Sequence, residues 1–104
     1  MSRPRRLRIP DEIGDRVRSL HPDLKRKIRA TIDGLLGDAV HGKPLQGALL
    51  GFNSARVGRF RVVYRLVQDI VEILTIGPRR TVYEEAERLT LRTRSSRRGF
   101  ARGS

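Results

Sequence analysis

Arginines in the stretch of residues 55–64, read ARVGRFRVVY, stand at a spacing that could bind phosphate. Gly58-Arg59 separates two strand-like runs, and glycine at the first central position favours a two-residue type II′ hairpin. That turn fixes the register so that Arg56 lies opposite Arg61, because side chains alternate between the two faces of a strand. Like charges directly opposite each other are destabilising, so the pair invites an anion such as phosphate between them.

A second group of cations follows a strand-like run in residues 76–83, read IGPRRTVY. Arg79 and Arg80 come just before residues 81–84, TVYE, a Ser/Thr-x-x-Glu capping box that predicts the start of a helix. Free N–H groups at a helix N-terminus already favour anions, and Tyr83 adds an aromatic ring on the first turn. Together with the hairpin arginines, these groups could bind one nucleotide, with cations on its phosphate and the ring on its base.

A simpler interpretation of the same residues stays open. Arg56 and Arg61 could be solvated strand residues, and Tyr83 could belong to the hydrophobic core. Other chemistry has less support, because His21 precedes a helix proline and His41 lies in a glycine-rich loop, both typical of surface positions. The acids show no paired-carboxylate or His-x-x-x-His spacing and the chain has no cysteine, so we predict neither a metal site nor a cofactor.

The charge of the chain favours polyanionic partners. Its 23 basic and 11 acidic residues give a net charge of +12, which suits RNA, DNA or an acidic protein. Nine of the basic residues lie near the two ends: Arg3, Arg5, Arg6, Arg8, Arg92, Arg94, Arg97, Arg98 and Arg102. The span of residues 9–91 keeps 14 basic residues (23 minus 9) against all 11 acids, so its arginines must be judged by position rather than by number.

The periodicity of apolar residues predicts the elements that must hold these side chains. A short edge strand over residues 5–9 precedes two amphipathic helices, over residues 11–20 and from Pro22 onward, which form a helical hairpin. After a glycine-rich loop over residues 37–50, three runs rich in β-branched and aromatic residues form an antiparallel meander: residues 52–57, 60–67 and 70–76. The predicted fold is therefore α+β, with the N-terminal strand and helical hairpin packed on a small, mainly antiparallel four-stranded sheet, and with a C-terminal helix.

The last helix is predicted to run from Val82 to about Leu91. Residues 1–91 then form a single domain, and residues 92–104 form a basic tail with almost nothing to bury, which predicts disorder. No apolar run of signal-peptide or membrane-spanning length follows the basic N-terminus. We therefore expect a cytoplasmic protein without membrane contact.

Three blocks of the sequence, in this order, resemble the RelE/ParE toxin superfamily. They read GKPLQG over residues 42–47, RVGRFRVVY over residues 56–64 and GPRRTVY over residues 77–83. The resemblance covers roughly residues 7–91. It implies a small α+β toxin of a type II toxin–antitoxin pair, whose partner is a cognate antitoxin that wraps the toxin in a hetero-oligomer.

RelE-type members of this superfamily cut mRNA in the ribosomal A site without a metal, by attack of the ribose 2′-hydroxyl on the adjacent phosphate. The resemblance implies that Arg61 stabilises the phosphorane charge and that Arg79 stabilises charge or protonates the leaving 5′-oxygen. It also implies that Tyr83 stacks on the base or orients it. The other cations of the three blocks are expected to bind substrate: Arg56, Arg59, Arg80 and Lys43.

Two departures from the superfamily pattern keep other functions open. Many members carry lysines on the strand before the hairpin, or a glutamate nearby, as a general base, whereas this strand reads FNSAR. Pro78 stands where many members have histidine. The alternatives are a ParE-like poison of DNA gyrase on the same fold and a non-catalytic RNA- or ribosome-binding module. Retention of Arg61, Arg79 and Tyr83 favours the nuclease, because a purely protein-binding toxin has no need of that set.

Overall fold

The computed structural model describes the backbone of residues 5–103 and the side chains of residues 5–92. A strand and two helices come first: β1 (Arg6–Arg8), α1 (Asp11–Arg18) and α2 (Pro22–Leu36). Four strands and the last helix follow: β2 (Lys43–Pro44), β3 (Asn53–Val57), β4 (Phe60–Val67), β5 (Ile70–Pro78) and α3 (Val82–Gly103). The predicted α+β fold is confirmed.

The strands form one mixed sheet in the order β1-β5-β4-β3-β2. Only β1 is parallel to its neighbour, since it pairs with residues 70–72 at the start of β5. The sheet has five strands rather than the predicted four, because Lys43 and Pro44 pair with Ser54 and Asn53 inside the segment predicted to be a loop. Two residues carry no alternating pattern, and proline is tolerated there because the strand is at an edge.

The β3–β4 hairpin has the predicted register. Arg56 pairs with Arg61 and Val57 with Phe60. Gly58 has a φ of 59°, the left-handed value that the first central position of a type II′ turn requires and that glycine adopts without steric cost. The turn therefore places two arginines side by side on one face of the sheet.

Helices cover both faces of the sheet. On one face, α1 and α2 bury a core that includes Ile13, Ile28 and Leu35 against Val62 and Ile76 of the strands. On the other face a smaller core joins four residues of the loop, β4 and α3: Leu49, Val63, Val82 and Ala86. We call this second face the α3 face. Because its core is small, the α3 face stays partly open around it.

The last helix is longer than predicted. It begins at Val82, as the capping box indicates, but its backbone stays helical to Gly103 rather than ending near Leu91. A helix that has already formed grows by one hydrogen bond per added residue, and residues 92–103 contain no proline to stop it. A composition with little to bury predicts weak packing but does not end a helix. Within residues 5–103, no helix is both long and apolar enough to cross a bilayer.

Candidate active site

Two cross-strand rows of side chains cover the α3 face at the hairpin end of the sheet. The first row is Arg56 on β3, Arg61 on β4 and Gly77 on β5. The second row is Lys43 on β2, Ser54 on β3, Val63 on β4 and Thr75 on β5. Paired residues project to the same side of a sheet, so Lys43, Arg56 and Arg61 share one surface.

Tyr83 reaches this surface from the first turn of α3. Its ring is half-buried and packs against the small core, while its hydroxyl hydrogen-bonds the hydroxyl of Ser54 at 2.9 Å. The ring is thus held at both ends, by the helix backbone and by β3. Tyr83 therefore lies at the edge of the small core and beside the surface that carries Arg56 and Arg61.

The remaining cations lie at the hairpin end of the sheet. Phe60 pairs with Pro78, and the backbone N–H of Arg79 donates to the carbonyl oxygen of Arg59 at 2.9 Å. This bond ties the end of β5 to the β3–β4 turn. The turn residue Arg59 and the pair Arg79-Arg80 are therefore neighbours, and all three side chains are exposed.

Six cations lie on or beside this surface, and none of them is paired with a carboxylate of residues 5–92: Lys43, Arg56, Arg59, Arg61, Arg79 and Arg80. Among the described side chains, none of the six forms an ion pair, whereas Arg5, Arg8, Arg16, Arg18, Arg26 and Arg65 each bind a carboxylate. The Arg61 guanidinium donates from Nη1 to the carbonyl oxygen of Phe60, at 3.2 Å. An arrangement of this kind can hold an anion, because no carboxylate of the described side chains is paired with these cations.

Sequence reasoning missed Ser54. Strand alternation alone puts Ser54 on the face of Arg56, two residues away, and this signal was present in the sequence. Its hydroxyl is what fixes the Tyr83 phenol. The two histidines lie elsewhere, as expected for surface residues, since both side chains are exposed and His41 contacts Asp38. Among the described residues no group of three His, Cys, Asp or Glu side chains could hold a metal ion.

Sequence reasoning also missed a partly buried ion pair between α1 and α3. Arg16 on α1 binds both carboxylate oxygens of Glu85 on α3, at 2.7 and 2.8 Å, across 69 residues of sequence. The Arg16 guanidinium, helped by the Thr75 hydroxyl, lowers the pKa of Glu85 to about 2. No local pattern predicts such a contact, because the two helices pack on opposite faces of the sheet.

A model of one protein family, described as the ParE toxin of the type II toxin–antitoxin system parDE, matches residues 2–83. The chain belongs to this toxin family. The match includes all three blocks, so the resemblance to the RelE/ParE superfamily is confirmed. No match was found among curated protein sequences.

Solved structures of related toxins have the same fold as this ParE-family chain. The toxin–antitoxin complex RelBE2 from Mycobacterium tuberculosis contains a chain that is 27% identical, with a TM-score of 0.64 over 74% of this chain and 100% of that one. A free mutant of the E. coli toxin RelE is 16% identical, with a TM-score of 0.65 over 81% and 95%. A chain of the YoeB–YefM complex from Staphylococcus aureus is 15% identical, with a TM-score of 0.60 over 72% of this chain and 95% of that one. At the last two identities the likeness shows the fold alone.

Proposed function

We propose that this toxin cleaves mRNA on the ribosome, without a metal, by attack of a ribose 2′-hydroxyl on the adjacent phosphate. The observation that carries the proposal is the surface of six cations without ion pairs beside a tyrosine ring that is fixed by Ser54. A polyanion with bases to stack is the ligand that such a surface suits. The resemblance to RelE-type toxins supports the same reaction.

The proposed reaction forms a bond between the 2′-oxygen and phosphorus and breaks the bond between phosphorus and the 5′-oxygen. The 2′-hydroxyl loses its proton and the leaving 5′-oxygen gains one, giving a 2′,3′-cyclic phosphate and a 5′-hydroxyl. The non-bridging oxygens gain negative charge at the phosphorane. Arg61 and its cross-strand neighbour Arg56 are the residues that stabilise this charge, since fixed guanidinium groups need no reorganisation during the reaction.

Arg79 acts by charge in this scheme. A guanidinium does not lose its proton at neutral pH, so it stabilises the leaving oxygen more readily than it protonates it. The hydrogen bond from the backbone N–H of Arg79 to the Arg59 carbonyl holds the Arg79 backbone at the hairpin end of the sheet. Tyr83 stacks on a base or orients it, and its bond to Ser54 limits the motion of the ring. Arg59, Arg80 and Lys43 bind the flanking phosphates.

A cognate antitoxin is the proposed regulatory partner. Two of the similar structures are toxin–antitoxin complexes, one with YefM and one named RelBE2. An acidic or amphipathic segment of the antitoxin would cover the six cations or displace α3, and either would block access of mRNA. Because ribosomes are the target, the toxin would act in the cytoplasm.

Poisoning of DNA gyrase is the second candidate. The observation in its favour is the family match itself, since the matched family is named for ParE. The two candidates make opposite demands on the surface. The nuclease needs Arg61 and Arg79 at the phosphate, whereas a gyrase poison can act through any surface that binds the enzyme.

An expression experiment separates the two candidates. The toxin is expressed from a tightly regulated promoter while mRNA 5′ ends are mapped and the supercoiling of a plasmid is followed. We expect new mRNA ends within translated codons, and unchanged supercoiling. Arg61→Ala and Arg79→Ala should each abolish growth arrest, whereas Arg26→Ala, an exposed arginine of α2, should keep it. Intact mRNA with cleaved or relaxed plasmid would reject the nuclease in favour of gyrase.

A further inference from the structure

Within residues 5–103, one edge of β5 has no neighbouring strand near the candidate site. β1 pairs with residues 70–72 alone, so the rest of that edge of β5 needs another partner. Arg16 of α1 supplies it, because Nη1 donates to the carbonyl oxygen of Ile76 at 3.0 Å and lies 3.3 Å from the Thr75 hydroxyl. A side chain thus replaces a strand at the point where β5 leads into Arg79.

The same guanidinium also holds α3. Its two terminal nitrogens bind the two carboxylate oxygens of Glu85 side by side, the geometry in which an arginine constrains a carboxylate most strongly. The hydroxyl of Thr75, which is fully buried, donates to the same carboxylate. Arg16 therefore joins α1, β5 and the first turns of α3 in one network.

This network involves residues that are close in sequence to two of the candidate site residues. Glu85 is two residues beyond Tyr83 on α3, and Ile76 is three residues before Arg79. We propose that Arg16 is a positioning residue of the candidate active site, which holds Tyr83 through Glu85 and Arg79 through the Ile76 carbonyl. The inference rests on the proposed function, because it assigns Arg16 to the same site, yet Arg16 itself reaches from the α1 side of the sheet and its guanidinium is bound to Ile76 and Glu85.

Partial burial makes this ion pair different from the pair that Arg18 and Asp15 form on α1. The Arg16 and Glu85 side chains keep 34% and 28% of their exposed surface, whereas those of Arg18 and Asp15 keep 72% and 69%. An exposed pair one turn apart contributes little to any geometry. Loss of Arg16 would remove the link from α1 to both groups, leaving Thr75 to hold the Glu85 carboxylate and the Ile76 carbonyl without its side-chain donor, so the first turns of α3 and the end of β5 would be held less firmly.

Fluorine NMR tests the inference without relying on activity. The chain has two tyrosines, so 3-fluorotyrosine labelling should give two signals, which Tyr64→Phe and Tyr83→Phe assign. In Arg16→Gln we expect the Tyr83 signal to shift or broaden and the Tyr64 signal to stay, since Tyr64 is buried on the other face and bonds Gly42. The matched control Arg18→Gln should move neither signal. An unmoved Tyr83 signal in Arg16→Gln, or equal changes at both tyrosines, would overturn the proposal.

Kinetics on programmed ribosomes give the second readout. In single-turnover reactions we expect Arg16→Gln to lower the maximal cleavage rate by about tenfold, because small displacements of catalytic groups cost large factors in rate. The ribosome concentration for half-maximal rate should change less than twofold, since the phosphate-binding cations are intact. Arg16→Lys, which keeps the charge but not the paired geometry, should recover part of the rate. A change confined to the half-maximal concentration, or full activity in Arg16→Gln, would contradict the positioning role.

The two readouts separate the two proposals. If the wild-type toxin cleaves no mRNA, the proposed function fails, while a selective shift of the Tyr83 signal still supports the role of Arg16 in placing that ring. If Arg16→Gln does not fold, Glu85→Gln carries the test, because it keeps the side-chain length and removes the charge. We expect it to move the Tyr83 signal in the same direction, and no movement would reject the proposal.

Discussion

Two cross-strand rows on the α3 face contain arginine, and one of them also contains a carboxylate. We call the row of Arg56, Arg61 and Gly77 the open row, and the row of Arg65, Glu72 and Arg8 the paired row. At the hairpin end, Arg61 of β4 lies between Arg56 and Gly77 and has no acidic partner among the described side chains. Four residues along the same strand, Arg65 lies beside Glu72, which it binds at 2.8 Å, and Arg8 binds the other oxygen of that carboxylate at 3.3 Å. The two rows share a face and a residue type. The difference teaches that Arg61, unlike Arg65, keeps a charge that is available to an external anion.

Truncation of the two β4 arginines should give the largest contrast. We expect Arg61→Ala to lower single-turnover cleavage by about 10²–10³-fold, the usual cost of removing a fixed group that stabilises transition-state charge. Arg65→Ala should stay within about threefold of the wild type, because its charge is already neutralised by Glu72 and its guanidinium lies over the Phe52 ring. Equal losses of cleavage rate in the two variants would mean that Arg61 and Arg65 do not differ in function.

A carboxylate introduced into the open row should neutralise Arg61 in the way that Glu72 neutralises Arg65. Arg56→Glu places an acid directly opposite Arg61, as Glu72 lies opposite Arg65. We expect cleavage to fall by about 10²-fold, and Arg56→Gln, which removes the charge without adding an acid, to cost about tenfold. Rapid-quench measurements on the same ribosome complexes compare the two variants. Identical rates for both would mean that pairing of Arg61 is irrelevant.

The aromatic rings of the two ends offer a third contrast. Tyr83→Leu should lower cleavage by about tenfold, since stacking on a base contributes roughly 1–3 kcal/mol. Phe52 lies beneath Arg65 at the paired end, so Phe52→Leu should leave cleavage within about twofold while reducing the free energy of unfolding. Both quantities come from the same preparations, by cleavage assay and by urea titration. A larger loss of cleavage in Phe52→Leu than in Tyr83→Leu would indicate that the substrate binds near Arg65 rather than near Arg61.

Removal of the carboxylate from the paired row should have a smaller effect. Glu72→Gln releases Arg8 and Arg65, so we expect RNA to bind a few-fold more tightly and the slope of log affinity against log salt to steepen by about one. Binding of a fluorescent RNA over a salt series measures both. An unchanged slope would show that the two arginines are too far from the path of the RNA.

Acid should weaken the ion pair between Arg16 and Glu85 and so lower the free energy of unfolding. The pKa of Glu85 is lowered to about 2 by its bond to Arg16, so the pair stabilises the fold at a pH above the ordinary glutamate value of 4.5 and loses this effect as the pH falls towards 2. Solvent screening limits the effect to on the order of 1 kcal/mol. Unfolding of wild type and Glu85→Gln should therefore differ at pH 7 and converge near pH 2. A constant difference would mean that the ion pair does not stabilise the fold.

Local signals predicted most of the fold. Gly58 specifies the hairpin register within four residues, and Pro22 marks the first turn of α2, where it is found. The two-residue strand Lys43–Pro44 carries no period and was missed. The length of α3 was missed because burial, on which the prediction relied, does not determine where a helix ends.

The candidate site was predicted where neighbours in sequence are neighbours in space. Arg56 and Arg61 are paired by their turn, and Arg79 follows the last strand. The bond from Tyr83 to Ser54 spans 29 residues and that from Arg16 to Glu85 spans 69, so each depends on how helices pack on the sheet. Hydrophobic periodicity indicates which face a helix buries but not which polar side chains meet at its ends. The distinction between Arg61 and Arg65 has the same origin, because it depends on where Glu72 pairs.

The most direct test is a reconstituted reaction with purified toxin and ribosomes that hold a defined mRNA with one codon in the A site. We predict a single cut at that codon, with a 2′,3′-cyclic phosphate on the upstream fragment, and no cut with Arg61→Ala. Intact mRNA with wild-type toxin that is folded and inhibits purified DNA gyrase would contradict it.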